Sequence, residues 1–285
     1  MLYYGIITAA VAMFSVQFYF KQLFQKDYGS DLQATFALSA YSGIAGLAAL
    51  LIINGARFEY THFTLFMSIL KMLNGFGFTF CSLKALGRIN LSLYSVFSML
   101  GGMALPFAVG ILFFGETLTP GKAICFVLIT AALLLTVEKG GQKSGFLYYA
   151  GIFVLNGMSG VLSKIFQAAP FEKTSAAGFS LLSGLLSVIV AVVLFFIVRK
   201  EKRKLTLPMA VGAMGSGILG NVANWLLLIA LVHLPASAQY PFVTGGVMIL
   251  STALCYFTPK KPGLREIASV ALSFAGLMVL MLFER

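Results

Sequence analysis

The chain has 285 residues, 59% of them hydrophobic and only 10% charged, with a net charge of +11. Soluble domains run nearer about 45 to 50% and about 25%, so a soluble fold of this size could not cover its surface. The composition is that of an all-α integral membrane protein, and its positive charge belongs to loops between membrane spans rather than to a nucleic-acid face.

Ten apolar blocks of about 20 residues, the length a helix needs to cross a hydrocarbon core of about 30 Å, follow one another. They cover roughly 2 to 20, 33 to 53, 62 to 84, 91 to 114, 120 to 138, 145 to 166, 175 to 198, 206 to 231, 236 to 257 and 263 to 282. The first starts almost at Met1 with no basic leader or small-residue cleavage pattern and is expected to be a retained span. Asp31 can cap the second, and Leu118-Thr119-Pro120-Gly121 offers a cap and a first-turn proline for the fifth. Pro208, Pro235 and Pro262 stand near other helix starts. Connections are short, the longest exposed one being the segment from Lys21 to Asp31. Cys81, Cys125 and Cys255 lie in or at the ends of apolar blocks without paired spacing, so neither a disulfide framework nor a metal site is expected.

The chain repeats itself. ALGRINLSLYSVF from Ala85 is echoed by ALVHLPASAQYPF from Ala230, Leu2-Tyr3-Tyr4 by Leu147-Tyr148-Tyr149, and Gly75 by Gly220, all at a displacement of 145. Gly101-Gly102 recurs one position out of step as Gly245-Gly246. Two five-span copies are expected, residues 1–143 and 144–285. An odd number of spans returns the chain to the opposite side, so the second copy is inserted upside down. Inverted repeats of this kind suit alternating access to a midplane site, whereas duplication as packing history alone is the plainer alternative.

With two five-helix copies, an ALG segment between the third and fourth spans, and LPFAVGILFFGETLTPGK with Pro106 ten residues before Glu116, the whole chain resembles the EamA-type permeases of the drug/metabolite transporter superfamily. The resemblance implies ten transmembrane helices around a central cavity lined mainly by spans one, three, four, six, eight and nine. It implies movement of small metabolites, amino acid-like or amphipathic, across the cell membrane by an exporter or a facilitator/exchanger; no cofactor and no enzymatic activity are expected. The expected partners are a small-molecule substrate and the lipid bilayer, without nucleic acid, for a monomer or homodimer. In the second copy Leu250 and Lys260 stand about where Pro106 and Glu116 stand in the first, so a role needing the acid in both copies does not carry over. A helix-capping carboxylate is the simpler reading of Glu116.

Fourteen Lys and Arg fall in the odd-numbered loops, against Arg57, Lys122, Lys164, Lys173 and Arg285 elsewhere and Lys71 within a span. The positive-inside rule then puts the odd loops in the cytoplasm and both termini outside. The resemblance implies termini inside.

Polar groups at the bilayer midplane are costly unless partnered, which makes them the candidate site. Lys71 and Asn74 share a face of the third span, and Asn156 stands mid-way along the sixth. In the eighth, Gly217, Asn221 and Trp225 form one row, and Gly212, Ser216, Gly220 and Asn224 the next. Small residues at that spacing make the second row a packing seam, leaving Asn221, Asn224 and Trp225 as substrate-binding candidates. Tyr94, Ser98, Gln239 and Tyr240 join them, Pro241 freeing a backbone carbonyl nearby. The alternatives are interhelical hydrogen bonds for the Asn residues, an interfacial aromatic belt for Tyr94 and Tyr240, and snorkelling for Lys71. Lys21 and Lys164, at corresponding ends of spans one and six, look like interface anchors.

All nine acidic residues fall near span ends or in loops, which argues against proton coupling through a mid-span carboxylate. His62 and His233 have no ligand-spaced partners, and Gly115 to Lys122 imitates a phosphate-binding loop with the wrong spacing, so no metal or nucleotide chemistry is expected. The rival to a metabolite transporter is a flippase for lipid headgroups, which would depend on Lys71 or Arg88.

Overall fold

The computed structural model describes residues 2–54, 59–113, 115, 117–136, 143–199, 203–231, 233, 236–258 and 260–283. Among these are ten helices and no strand: α1 (Leu2–Tyr28), α2 (Leu32–Asn54), α3 (His62–Leu86), α4 (Leu91–Phe113), α5 (Pro120–Thr136), α6 (Lys143–Ala168), α7 (Ala176–Val198), α8 (Leu207–Leu231), α9 (Ala236–Cys255) and α10 (Leu264–Phe283). Seven of them are long and apolar enough to cross a bilayer. The protein is all-helical and fits a multi-pass membrane protein.

Helix ends follow local chemistry. Thr61 caps α3 by accepting from the Thr64 amide, and Ser175 caps α7 by accepting from the Gly178 amide. Asp31 accepts from the Ala34 amide at 2.9 Å and so starts α2. The expected exposed connection from Lys21 to Asp31 needs correction, because α1 continues helically to Tyr28. Polar residues there do not stop the helix, since Phe24 and Tyr28 are buried and stack with centroids 4.9 Å apart. Glu116 and the junction at 137–142 lie outside the described residues.

Successive helices run in opposite directions, so α1, α3, α5, α7 and α9 start at one end of the bundle, here the Leu2 end, and finish at the Tyr28 end. Contacts between turns agree. At the Tyr28 end, Arg203 grips Asp31 with both guanidinium nitrogens, at 3.0 and 2.6 Å, and donates to the Tyr28 carbonyl at 2.9 Å. There too Lys260 donates to the Gly87 carbonyl at 2.7 Å and Asn90 to Glu266 at 2.5 Å. At the Leu2 end, the Ser175 amide donates to Glu59 at 2.7 Å.

The first five helices interlock with the last five rather than packing by themselves. α1 lies on α8 and α9, α2 on α7 and α8, α3 on α6 and α7, α4 on α6 and α9, and α5 on α10. In lipid, close approach of backbones replaces hydrophobic burial as the force between helices. The α4–α6 seam shows how: a Cβ on Gly101 would land on the Phe153 backbone, and one on Gly160 would meet Pro106 Cγ at 2.6 Å. Pro106 cannot donate to the Gly102 carbonyl one turn back. That oxygen faces Gly160, 3.7 Å from where its Cβ would stand.

The Tyr28 end is plugged by the first two turns of α4, where every residue from Leu91 to Ser98 is buried. Around it gather Phe18 of α1, Leu86 of α3, Ile152 of α6 and Val247 of α9.

Two further contacts join the residues that follow α3 to α6 and those that follow α8 to α1. The Arg88 guanidinium lies over the Tyr148 ring at 4.7 Å, and His233 stacks on Tyr3 at 3.9 Å with an interplanar angle of 12°.

Candidate functional site

In a bundle that is apolar on every side, the inward face of each helix is found from its exposed stripe. On α3 that stripe is Phe66, Ile69 and Leu73. At about 100° per residue, Lys71, Gly75 and Phe78 lie roughly opposite it and so face the interior. A Cβ on Gly75 would have no atom within 4 Å, so there is open volume beside this stretch, inside the bundle.

The Lys71 ammonium sits 4.4 Å from the centroid of the Phe179 ring of α7. That ring stacks on Phe166 of α6 at 4.2 Å, within a buried cluster that includes Met67 and Leu162. Phe179 stands in the first turn of α7, so the Lys71 side chain extends toward the Leu2 end of the bundle, the direction that snorkelling takes. Three residues on, Asn74 donates to the Leu155 carbonyl of α6 at 2.9 Å, while its buried Oδ1 has no hydrogen-bond partner. Ser68, three residues before Lys71, is fully buried with an unpartnered hydroxyl.

On α1 the exposed stripe contains Gly5, Thr8, Ala9 and Ala12. Lys21 lies about 160 to 180° round the helix from Gly5 and Ala12. Its ammonium is 5.2 Å from the centroid of the Phe78 ring of α3. The expected interface anchor is therefore an interior cation, and the sequence reading missed it. The spacing Phe14, Gln17, Lys21, which puts three residues on one face, signals it once α1 is extended past residue 20. Gln17 faces α8, its Nε2 only 2.5 Å from where a Gly220 Cβ would stand.

The other candidates separate into three groups. Asn156 of α6 donates to the Ser98 carbonyl of α4 at 2.6 Å, in space left by Gly102. Tyr94 is fully buried, its hydroxyl donating to Ser82 Oγ at 3.1 Å and its ring edge-on to Phe18 at 5.0 Å, so it is a core residue and not part of an interfacial belt. On α8, Gly217 seats on the Ser42 backbone of α2 and the Asn221 amide lies against Gly46, so this row is a seam with α2 as its neighbour is with α1. Asn221 donates to its own Gly217 carbonyl at 2.9 Å, and Asn224 to that of Gly220, also at 2.9 Å. Asn224 is nonetheless exposed and Trp225 half-buried. Gln239 and Tyr240 fall within α9, but their side chains, like that of Pro241, lie outside the described residues.

Tyr94 supports a measurable prediction. Tyr94→Phe keeps the ring packing and leaves Ser82 without its donor, so it is expected to cost about 1 kcal/mol of stability, read as a lowered melting temperature with any ligand protection unchanged. Loss of that protection would place the phenol in the site.

Among the described residues, no group of His, Cys, Asp and Glu is arranged to hold a metal ion. No protein-family model matches the chain, and no curated protein matches it. What the geometry offers is an interior face of α3 with open volume at Gly75, where Lys21 of α1 meets the Phe78 ring and Lys71 meets the Phe179 ring of α7.

Proposed function

We propose that the chain is a transporter of small metabolites across the cell membrane, of EamA type, built from two inverted five-helix copies, 1–143 and 144–285, and working by alternating access without a cofactor or catalysis. One observation carries this reading. The Arg88–Tyr148 and His233–Tyr3 contacts exchange partners under the repeat displacement of 145 residues: Arg88 corresponds to His233, and Tyr148 to Tyr3. An exchange of this kind is what a two-fold axis does. The two contacts lie at opposite ends of the bundle, so the axis would lie in the membrane plane, the arrangement that lets one conformation be converted into its inverted counterpart. The helix pairs support the same relation, since exchanging copies turns α1 on α8 into α6 on α3 and α4 on α6 into α9 on α1.

The flippase alternative draws on a different feature, an apolar groove of about 170 Å³ on the outside of α2 and α7, lined by Ala37, Tyr41, Ile44, Val192, Phe195 and Phe196. An acyl chain would suit it.

Counterflow in proteoliposomes tests the proposal. Vesicles loaded with amino acids, organic acids, sugars or quaternary amines are expected to accumulate the matching labelled compound for at least one class. Absence of counterflow for every class, together with accelerated exchange of a labelled phospholipid between leaflets, would replace the transporter by the flippase.

A further inference from the structure

Lys21 and Lys71 both point into the bundle, on either side of Gly75. They come from different helices, and Phe78, the ring that Lys21 meets, stands seven positions along α3 from Lys71, a rise of about 10 Å. Each ammonium has an aromatic ring as its contact, Phe78 for Lys21 and Phe179 for Lys71. Among the described residues neither is paired with a carboxylate. Every Asp and Glu falls near a helix end or in a loop, among them Glu59, whose carboxylate lies against Gly178 and accepts from the Ser175 amide. Charge in the hydrocarbon region is expensive and is retained where it binds something. A ring face attracts a cation but does not replace its water or a counter-ion. The site therefore carries positive potential, an aromatic wall and empty space, and lacks only the anion.

Resting on the transporter reading above, we infer that the substrate is a small organic anion, held through carboxylate or phosphate oxygens by Lys21 and Lys71 in the space beside Gly75. The aromatic walls accept the carbon skeleton, and the two separated ammonium groups favour a compound with anionic oxygens at both ends. Amino acid-like zwitterions and quaternary amines are the wrong charge for this face.

Thermal unfolding of the full chain in an uncharged detergent tests it, with succinate, glycerol 3-phosphate and inorganic phosphate as probes and glycerol and betaine as controls. The anions are expected to raise the melting temperature by mass action and the controls to leave it unchanged. Lys21→Met and Lys71→Met should each weaken the apparent affinity about tenfold or more, while Lys26→Gln, an exposed lysine of the same helix, should not. Gly75→Leu guards against a merely structural effect: it keeps both charges, improves the helix former and fills the space, and is expected to abolish protection in a protein that folds normally. Protection by betaine or glycerol alone, anion protection unchanged in the three variants, or no protection by any anion would each overturn the site. Protection by phosphatidylglycerol and not by soluble anions, lost in the same variants, would keep the anion site and give it to a lipid headgroup. Anion binding without counterflow in vesicles would keep the site and sink transport.

Discussion

Gly101→Ala is expected to be, with Gly217→Ala, among the most damaging single-methyl substitutions in this protein, costing about 3 kcal/mol or more and leaving little protein that survives detergent extraction. The new Cβ would fall on the carbonyl, Cα and carbonyl carbon of Phe153, and backbone cannot swing away as a side chain can. Two other glycines make this a graded experiment. Gly102→Ala meets the Asn156 amide at 2.7 Å, the end of a side chain, so the adjustment would weaken the hydrogen bond to the Ser98 carbonyl for about 1 to 3 kcal/mol. Gly75→Ala meets nothing within 4 Å and should gain about 0.5 to 1 kcal/mol from helix propensity. Melting temperatures in the order Gly75→Ala, Gly102→Ala, Gly101→Ala, from highest to lowest, are the expected result. A Gly101→Ala protein as stable as the wild type would mean that α4 and α6 do not meet through this seam.

The same seams show what could be read from the sequence and what could not. Helix limits were legible because they are set locally: Thr61 and Ser175 cap the helices that follow them, and Pro120 begins α5. The end of α1 was not, because an apolar window registers where lipid ends, whereas the helix goes on to Tyr28 by burying Phe24 against Gly212 of α8. Orientation about each helix axis was harder still. In water a polar face marks the outside, but here lipid-facing and core-facing residues are both apolar, as Ile69 and Met67 illustrate two residues apart on α3. Rows of small residues were therefore legible as seams without their partners being legible. The Gly217 and Asn221 row packs on α2, and Lys21 faces inward, for reasons that only the assembled bundle supplies.

Breaking the Asp31–Arg203 pair is expected to shift the conformational balance far more than the stability. The pair joins the α1–α2 turn to the segment before α8 at the plugged end, and Arg203 also lies over the Tyr28 ring at 5.7 Å. With Arg203 30% and Asp31 45% exposed, water holds its worth to roughly 0 to 1 kcal/mol. Burial by itself would raise the Asp31 carboxyl, but hydrogen bonds and charge from Arg203, with the Ala34 amide, hold it below its ordinary value of 3.8. A carboxyl depressed on folding stabilises fully above that ordinary value, and its contribution fades as pH falls through the lower folded one. The small loss of stability below about pH 4 should accordingly be reduced in Asp31→Asn. Arg203→Glu goes further, setting two carboxylates face to face and costing the closed end about 1 to 2 kcal/mol, enough on the proposed alternating mechanism to change its population about tenfold. Cys81, half-buried in α3 beside Gly151 of α6, reports the change. Its labelling by N-ethylmaleimide, mapped by peptide mass spectrometry, should accelerate about tenfold in Arg203→Glu and return to the wild-type rate when Asp31→Arg restores opposite charges. Faster labelling in both the single and the double variant would assign the effect to lost packing against Tyr28 rather than to the ion pair, and an unchanged rate in Arg203→Glu would show that this pair does not hold the end closed.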